Sequence, residues 1–197
     1  MGRGGRRRGD AELNPPLLAP GATAFLDRDG TINAPAAEGE YIVDASEVRL
    51  LPGAAEAIRR LNRHPAKVVV VTNQRGIALG RMSETDLAAV NERLRELLAA
   101  GDARLDAILH CPHGLDSCDC RKPGSGMFER AAREVDGVQL DGAAMVGDSA
   151  LDVEAGRRLG LSTVRLGPSG RDDPVPTHEA PDLLGAVRWL LESDPGP

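Results

Sequence analysis

The feature that most restricts what this chain can fold into is the alternation, from Ala22 onward, of short apolar runs with longer segments of helical period. The runs at 24–27, 67–72, 105–110, 143–148 and 162–166 are continuous or β-branched rather than alternating, as strands covered on both faces must be. Between the first two, Ala54, Ala57, Ile58 and Leu61 follow Pro52-Gly53 at the spacing of one helix face. Ser83 and Asp86 form an N-terminal capping pair, and Leu87, Val90, Leu94 and Leu97 continue a helical stripe that Gly101 stops. Further helices are expected over 126–135, 151–159 and 181–191, with a Gly, Pro and Asp-rich surface loop at 167–176. This repetition predicts an α/β fold: an open, mainly parallel, Rossmann-like sheet with helices on both faces.

A chain of 197 residues accommodates one sizeable core. With only four aromatic residues, that core is expected to be aliphatic. The segment 1–21 carries Arg3, Arg6, Arg7 and Arg8 among glycines and then prolines, a composition that reads as a disordered basic tail or, alternatively, a nucleic-acid or membrane arm. A single folded domain is expected over 22–192, and 193–197 is expected to fray. A net charge of -6 speaks against nucleic acid as the main partner. No apolar run approaches bilayer length and no signal-peptide apolar region follows the N-terminal arginines, so a cytoplasmic protein is expected.

The chemistry-bearing residues fall at strand or loop ends. Phe25-Leu26-Asp27-Arg28-Asp29-Gly30-Thr31 sets two carboxylates where a buried run meets a turn, the place where open α/β sheets bind ligands. Taken alone, it also reads as a solvated turn with Asp capping backbone amides. The run Val68–Val71 ends in Thr72 and Asn73; Arg121-Lys122-Pro123 precedes an expected helix; Met145-Val146-Gly147 ends in Asp148, with Asp152 one helical turn on. Asp27, Asp148 and the backbone carbonyl of Asp29 form an oxygen set suited to Mg²⁺. Thr72 and Lys122 suit phosphoryl oxygens as a hydroxyl donor and a point charge, with Asn73 as a further polar contact. Asp27 is then placed to attack a phosphate monoester, and Asp29 to protonate the leaving alkoxide and later activate water.

In this order and spacing, D-R-D-G-T-I-N, V-V-V-T-N-Q, R-K-P and V-G-D-S-A-L-D resemble the four motifs of the haloacid dehalogenase superfamily of phosphatases, over residues 22 to about 166. The resemblance implies an aspartyl-phosphate mechanism with Asp27 as nucleophile, Asp29 as acid/base, Thr72 and Lys122 on phosphate, and Asp148 on the metal. The intervals between the motifs are used up by expected helices and strands, so no separate cap domain is expected. The stretch from Asn33 through Glu38, Glu40 and Tyr41 to Val48 reads either as one wall of the pocket or as an ordinary surface loop.

All three cysteines, Cys111, Cys118 and Cys120, lie within ten residues together with His113. Three thiolates and one imidazole make a closed tetrahedral set for structural Zn²⁺; the competing reading is buried or reactive thiols beside an unrelated His. Zinc here would tie down the loop that aims Arg121 and Lys122 at the site. This C-x-H…C-x-C-R-K-P pattern resembles the branch of the superfamily that holds heptose bisphosphate and histidinol-phosphate phosphatases, and it implies a substrate-recognition role for Arg121, which otherwise reads as a surface cation or a partner for Asp119. The expected partner is a small phosphorylated metabolite, first a heptose 1,7-bisphosphate losing its 7-phosphate and second histidinol phosphate. A polynucleotide 3′-phosphatase and a non-catalytic zinc-stabilised binding module are the alternatives of other classes.

Overall fold

The apolar runs become the centre of a single parallel sheet. The computed structural model describes residues 17–192. Six strands, β1 (Thr23–Leu26), β2 (Lys67–Asn73), β3 (Ala107–Cys111), β4 (Ala144–Gly147), β5 (Ser162–Leu166) and β6 (His178–Ala180), lie in the order β3-β2-β1-β4-β5-β6. Every neighbouring pair is parallel. Successive side chains of a strand face opposite sides, so each run supplies two cores. Ala24, Leu26, Val68, Val70 and Val146 pack with helices α1 (Ala54–Arg63), α2 (Glu84–Ala99) and α5 (Leu183–Leu191). Phe25, Val69, Val71 and Met145 pack with α3 (Gly126–Glu134) and α4 (Ala150–Arg158). On that second face the Phe25 and Phe128 rings meet edge-on at 4.9 Å, a contact worth about 0.5–1.5 kcal/mol beyond its buried area.

The register decides what the strand ends can do together. Leu26 lies opposite Val70 on one side and Val146 on the other. Asp27 therefore leaves β1 level with the ends of β2 and β4, where Thr72 and Asp148 follow. The chain order reverses between β1 and β4, and ligands of such sheets bind outside the strand ends at that reversal. Among the described residues no separate cap domain interrupts the fold, and no helix is long and apolar enough to cross a membrane.

Several sequence expectations shift. β6 was not foreseen, because three residues reading His-Glu-Ala carry no usable period; pairing with β5 creates it. β3 starts two residues late, because the Asp106 carboxylate takes the Val68 N–H and the Lys67 ammonium instead of continuing the ladder. On α2 the last buried position is Leu98, with Leu97 only half-buried, since the stripe steps by four after Leu94. Residues 17–21 are not a loose tail: Leu18 is fully buried in the core, donates its N–H to Leu190 O, and its own carbonyl meets His64 Nε2 at 2.8 Å. The arginine run and residues 193–197 lie outside the described residues. The stretch 33–48 is anchored at its base, where Ala34 N bonds Arg49 O and Leu51 N bonds Ile32 O, and Asp44 caps a short 3-10 turn at Ala45–Glu47.

Candidate active site

Lys122 is the hub of the site. Its ammonium, almost fully buried, touches Asp27 Oδ1 at 2.6 Å and Asp152 Oδ1 at 2.5 Å and donates to Val71 O at 2.7 Å. A cation taken out of water needs partners of this quality; removing one partner of such a buried pair costs about 3–5 kcal/mol. Burial alone would lower the lysine pKa, but the charges of Asp152 and Asp27 outweigh it and hold Lys122 above its ordinary value. Asp27 goes the other way. Its burial outweighs the pull of Lys122, and the repulsion of Asp152 and Asp29 adds to it, so its carboxyl is pushed up to about 7 in the metal-free site. One cation facing two buried carboxylates cannot fully stabilise both charges.

Asp152 owes its place to the start of α4. Ser149 is the N-cap, its hydroxyl accepting from Asp152 N, while Asp152 Oδ2 takes the Ser149 N–H at 3.0 Å and hydroxyl at 2.5 Å. That capping box leaves Oδ1 free to face Lys122. Gly147 makes room: a Cβ there would come within 2.3 Å of the Asp152 carboxylate. Sequence reasoning noted Asp152 but gave it no role; the Ser149-to-Asp152 spacing was the signal.

Asp29 is held in an opposite electrostatic state. Its Oδ1 accepts from Arg28 Nε at 3.2 Å and Asn33 Nδ2 at 2.9 Å, and its Oδ2 from Arg28 Nη2 and Gln74 Nε2, each at 2.9 Å. Burial would raise its pKa, but the Arg28 charge and these four hydrogen bonds bring it below the usual carboxylate value. Two carboxylates two residues apart are thus driven in opposite directions, the arrangement by which one site obtains two roles from one residue type.

Thr72 is buried, and its Oγ1 accepts from Gln74 Nε2 at 2.9 Å, which turns its proton toward other acceptors. Gln74, the last residue of V-V-V-T-N-Q, therefore links Thr72 to Asp29, a role that only the packing reveals. Asn73 lines the cleft, but its amide is engaged with the Lys122 backbone, accepting from Lys122 N at 3.0 Å and donating to Lys122 O at 3.2 Å. Arg121 lines the same cleft, and its Nη1 is buried without a hydrogen-bond partner among the described residues. The Asp148 carboxylate lies against Gly30, whose φ of +84° and missing side chain both matter: a Cβ there would stand 2.1 Å from Asp148 Oδ2. Burial first, and then the Asp152 charge, raise the Asp148 pKa. Asp27, Asp29, Thr72, Asn73, Arg121, Lys122 and Asp148 thus meet in one cleft of about 260 Å³. A groove of about 510 Å³ adjoins it, shares Arg121, Lys122 and Leu151, and is bounded by Asp116 and Asp119 of the cysteine loop. A larger hollow, between the Ala45–Glu47 turn and α2, contains none of the motif residues.

Two ligand sets emerge. Carboxylate oxygens of Asp27, Asp148 and Asp152 lie within 4.8 Å of one another, oxygen donors of the kind hard divalent cations take; Asp152, committed to Lys122 and Ser149, is the least free of them. The second set is Cys111 at the end of β3, His113, Cys118 and Cys120. Cys118 Sγ is 3.5 Å from Cys111 Sγ and 3.3 Å from Cys120 Sγ, and His113 Nδ1 is 3.2 Å from Cys120 Sγ. Tetrahedral zinc with Zn–S bonds of about 2.3 Å spaces its sulfurs by about 3.7 Å, so the donors already enclose one ion's volume. The three thiols are driven apart in acidity: burial, and then its two neighbouring thiols, push Cys120 up to about 12, burial raises Cys111, and Cys118 is lowered because hydrogen bonds from Cys120 and the Arg121 backbone outweigh its burial.

A sequence model of haloacid dehalogenase-like hydrolases matches residues 3–160. A D-glycero-beta-D-manno-heptose-1,7-bisphosphate 7-phosphatase of Pseudomonas aeruginosa is 44% identical over 175 residues, 85% of this chain and 97% of that protein. The enzyme of the same name from Escherichia coli strain K12 is 34% identical over 177 residues, 86% of this chain and 87% of that protein. The crystal structure of the D,D-heptose 1,7-bisphosphate phosphatase of B. bronchiseptica, complexed with magnesium and phosphate, superposes with a TM-score of 0.76 at 34% identity, covering 86% of this chain and 98% of that one.

The contact between Gly30 and Asp148 is open to a direct check. Gly30→Ala puts a methyl group into the Asp148 carboxylate at a left-handed φ, so it is expected to cost about 1–2 kcal/mol of stability and at least about tenfold in turnover. Urea denaturation and steady-state kinetics measure the two; a variant with wild-type turnover would mean that Asp148 can move away without consequence.

Proposed function

Because the chain belongs to the haloacid dehalogenase-like hydrolase family, we propose that it is a phosphatase acting through Asp27 on D-glycero-D-manno-heptose 1,7-bisphosphate, from which it removes the 7-phosphate. The observation that supports the chemistry best is the convergence of Asp27, Lys122 and Thr72 beside Asp148 at the sheet's point of reversal. Asp27 attacks phosphorus; the bond from phosphorus to the sugar oxygen breaks, and its electron pair leaves with that oxygen. Lys122 and the Thr72 hydroxyl hold the phosphoryl oxygens as their charge redistributes. Asp29 gives the departing oxygen its proton, and then, ionised, takes a proton from the water that hydrolyses the aspartyl phosphate. The four donors on Asp29 favour the ionised form, so the first step draws on its protonated fraction or on a proton brought by the monoester.

A magnesium ion held by the carboxylates of Asp27 and Asp148 and the carbonyl of Asp29 supplies the positive charge that lets an anionic nucleophile approach an anionic phosphate. Cys111, His113, Cys118 and Cys120 fit a structural zinc that stiffens the loop leading into Arg121 and Lys122. Free thiols in a cluster of this kind suit the reducing cytoplasm. For the substrate, the relatives' names and the unpartnered Arg121 guanidinium agree: a second phosphate at Arg121 meets a cation with a free N–H. Asp116 and Asp119 bound the adjoining groove and favour the second reading, histidinol phosphate, whose ammonium either could pair.

Three outcomes test this. Asp27→Asn is expected to keep its circular dichroism while phosphate release falls at least about a thousandfold; survival of more than a few per cent of the rate would remove Asp27 as nucleophile. Assayed side by side, the heptose 1,7-bisphosphate should exceed histidinol phosphate in kcat/KM by at least about tenfold, the value of one charge-assisted contact of about 1.5–3 kcal/mol. A reversed order would replace the substrate and leave the mechanism. Finally, a carboxyl raised to about 7 must shed its proton before binding a cation. Apparent Mg²⁺ affinity should therefore rise about tenfold per pH unit up to about 7 and then level off, with proton release on binding measurable by calorimetry in buffers of different ionisation enthalpy. An affinity flat between pH 5 and about 7 would show that Asp27 is already ionised there.

A further inference from the structure

Arg28 stands first by size among the fully buried side chains, with 1% of its surface exposed, and no step of the proposed reaction uses it. A guanidinium at that depth is costly unless its donors are committed. They are. Nε and Nη2 form a fork on the two oxygens of Asp29, at 3.2 Å and 2.9 Å, and Nη1 donates to Asn91 Oδ1 at 3.0 Å. Asn91 is 63 residues away, on α2, beside Val90 in the stripe of Leu87, Val90, Leu94 and Leu98 that the helix buries.

Arg28 lies in the turn just past β1, and its bond to Asn91 places its head group on the side of the sheet that α2 covers, with the fork turned back to Asp29. A fork fixes the plane of the carboxylate it grips, which a single donor cannot do. Asn33 and Gln74 each bond one Asp29 oxygen, but Asn33 belongs to the same turn and Gln74 is shared with Thr72. Among the described residues, only the Arg28–Asn91 link ties the Asp29 carboxylate to a helix.

We propose that Arg28, braced by Asn91, is the positioning residue for Asp29, setting the orientation in which its carboxyl reaches the leaving-group oxygen. The inference rests on the acid/base reading of Asp29. The test uses the difference between an alkyl ester, whose leaving oxygen needs a proton, and p-nitrophenyl phosphate, whose phenolate departs without one. The readout is the ratio of kcat/KM for the heptose bisphosphate over that for p-nitrophenyl phosphate, which covers binding through release of the alcohol and leaves out hydrolysis of the aspartyl phosphate. Arg28→Lys keeps the charge but loses the fork, and is expected to lower this ratio at least about tenfold; Asn91→Ala should lower it about threefold to fivefold. Asn91→Asp, which retains an acceptor for Nη1, should recover most of the loss. Circular dichroism establishes folding, and if Arg28→Lys does not fold, the Asn91 pair decides. Asp29→Asn separates the two ideas. If it shifts the ratio while folded Arg28 and Asn91 variants stay within about twofold of wild type, the positioning role is overturned and the acid role stands. If Asp29→Asn itself leaves the ratio unchanged, the acid role fails and this inference with it.

Discussion

The site depends on one buried ammonium. Lys122 arrives on the loop before α3, yet its Nζ sits among Asp27 from the end of β1, Asp152 from the first turn of α4 and Val71 O from β2. Three elements of the sheet's reversal point are tied through a single charge that has almost no access to water. In that environment the electrostatic interaction is strong, and so is the penalty for losing a partner. The small residues around it follow from the same constraint. Gly147 lacks a side chain where the Asp152 carboxylate must lie, and Gly30 lacks one where Asp148 must lie.

Crowding carboxylates around one cation divides their behaviour. Asp27, buried and facing Asp152 as well as Lys122, has its carboxyl pushed up to about 7. Asp29, only two residues away, has a guanidinium fork and two amide donors and stays ionised more readily. Backbone spacing alone treats these residues alike. What distinguishes them is the count of donors and charges each one meets; the donors come from the turn, where Arg28 also donates to Asn91 of α2, and from Gln74 just past β2.

The cysteine loop enters this scheme through backbone rather than charge. Cys120 is two residues before Lys122, and the Asn73 amide clamps both the N–H and the C=O of Lys122. The Lys122 main chain is therefore fixed from β2, and three sulfurs and one imidazole are gathered in the loop ahead of it. The residue foreseen as a polar contact for substrate, Asn73, spends its amide on holding the Lys122 loop in register.

The sequence by itself determined the layer architecture, five of the six strands, the motif residues at strand and loop ends and the cysteine-histidine set. These are short-range properties: an apolar run, a helical period and a D-x-D at a turn are written within about ten residues. Only the tertiary structure decided that Leu18 closes the core, that His-Glu-Ala forms β6, that Asp152 pairs with Lys122 and that Arg28 reaches across 63 residues to Asn91. It also decided that the Asp27 and Asp29 carboxyls shift in opposite directions. Desolvation and the identity of a hydrogen-bond partner exist only once distant segments are packed together, so no local pattern could contain them.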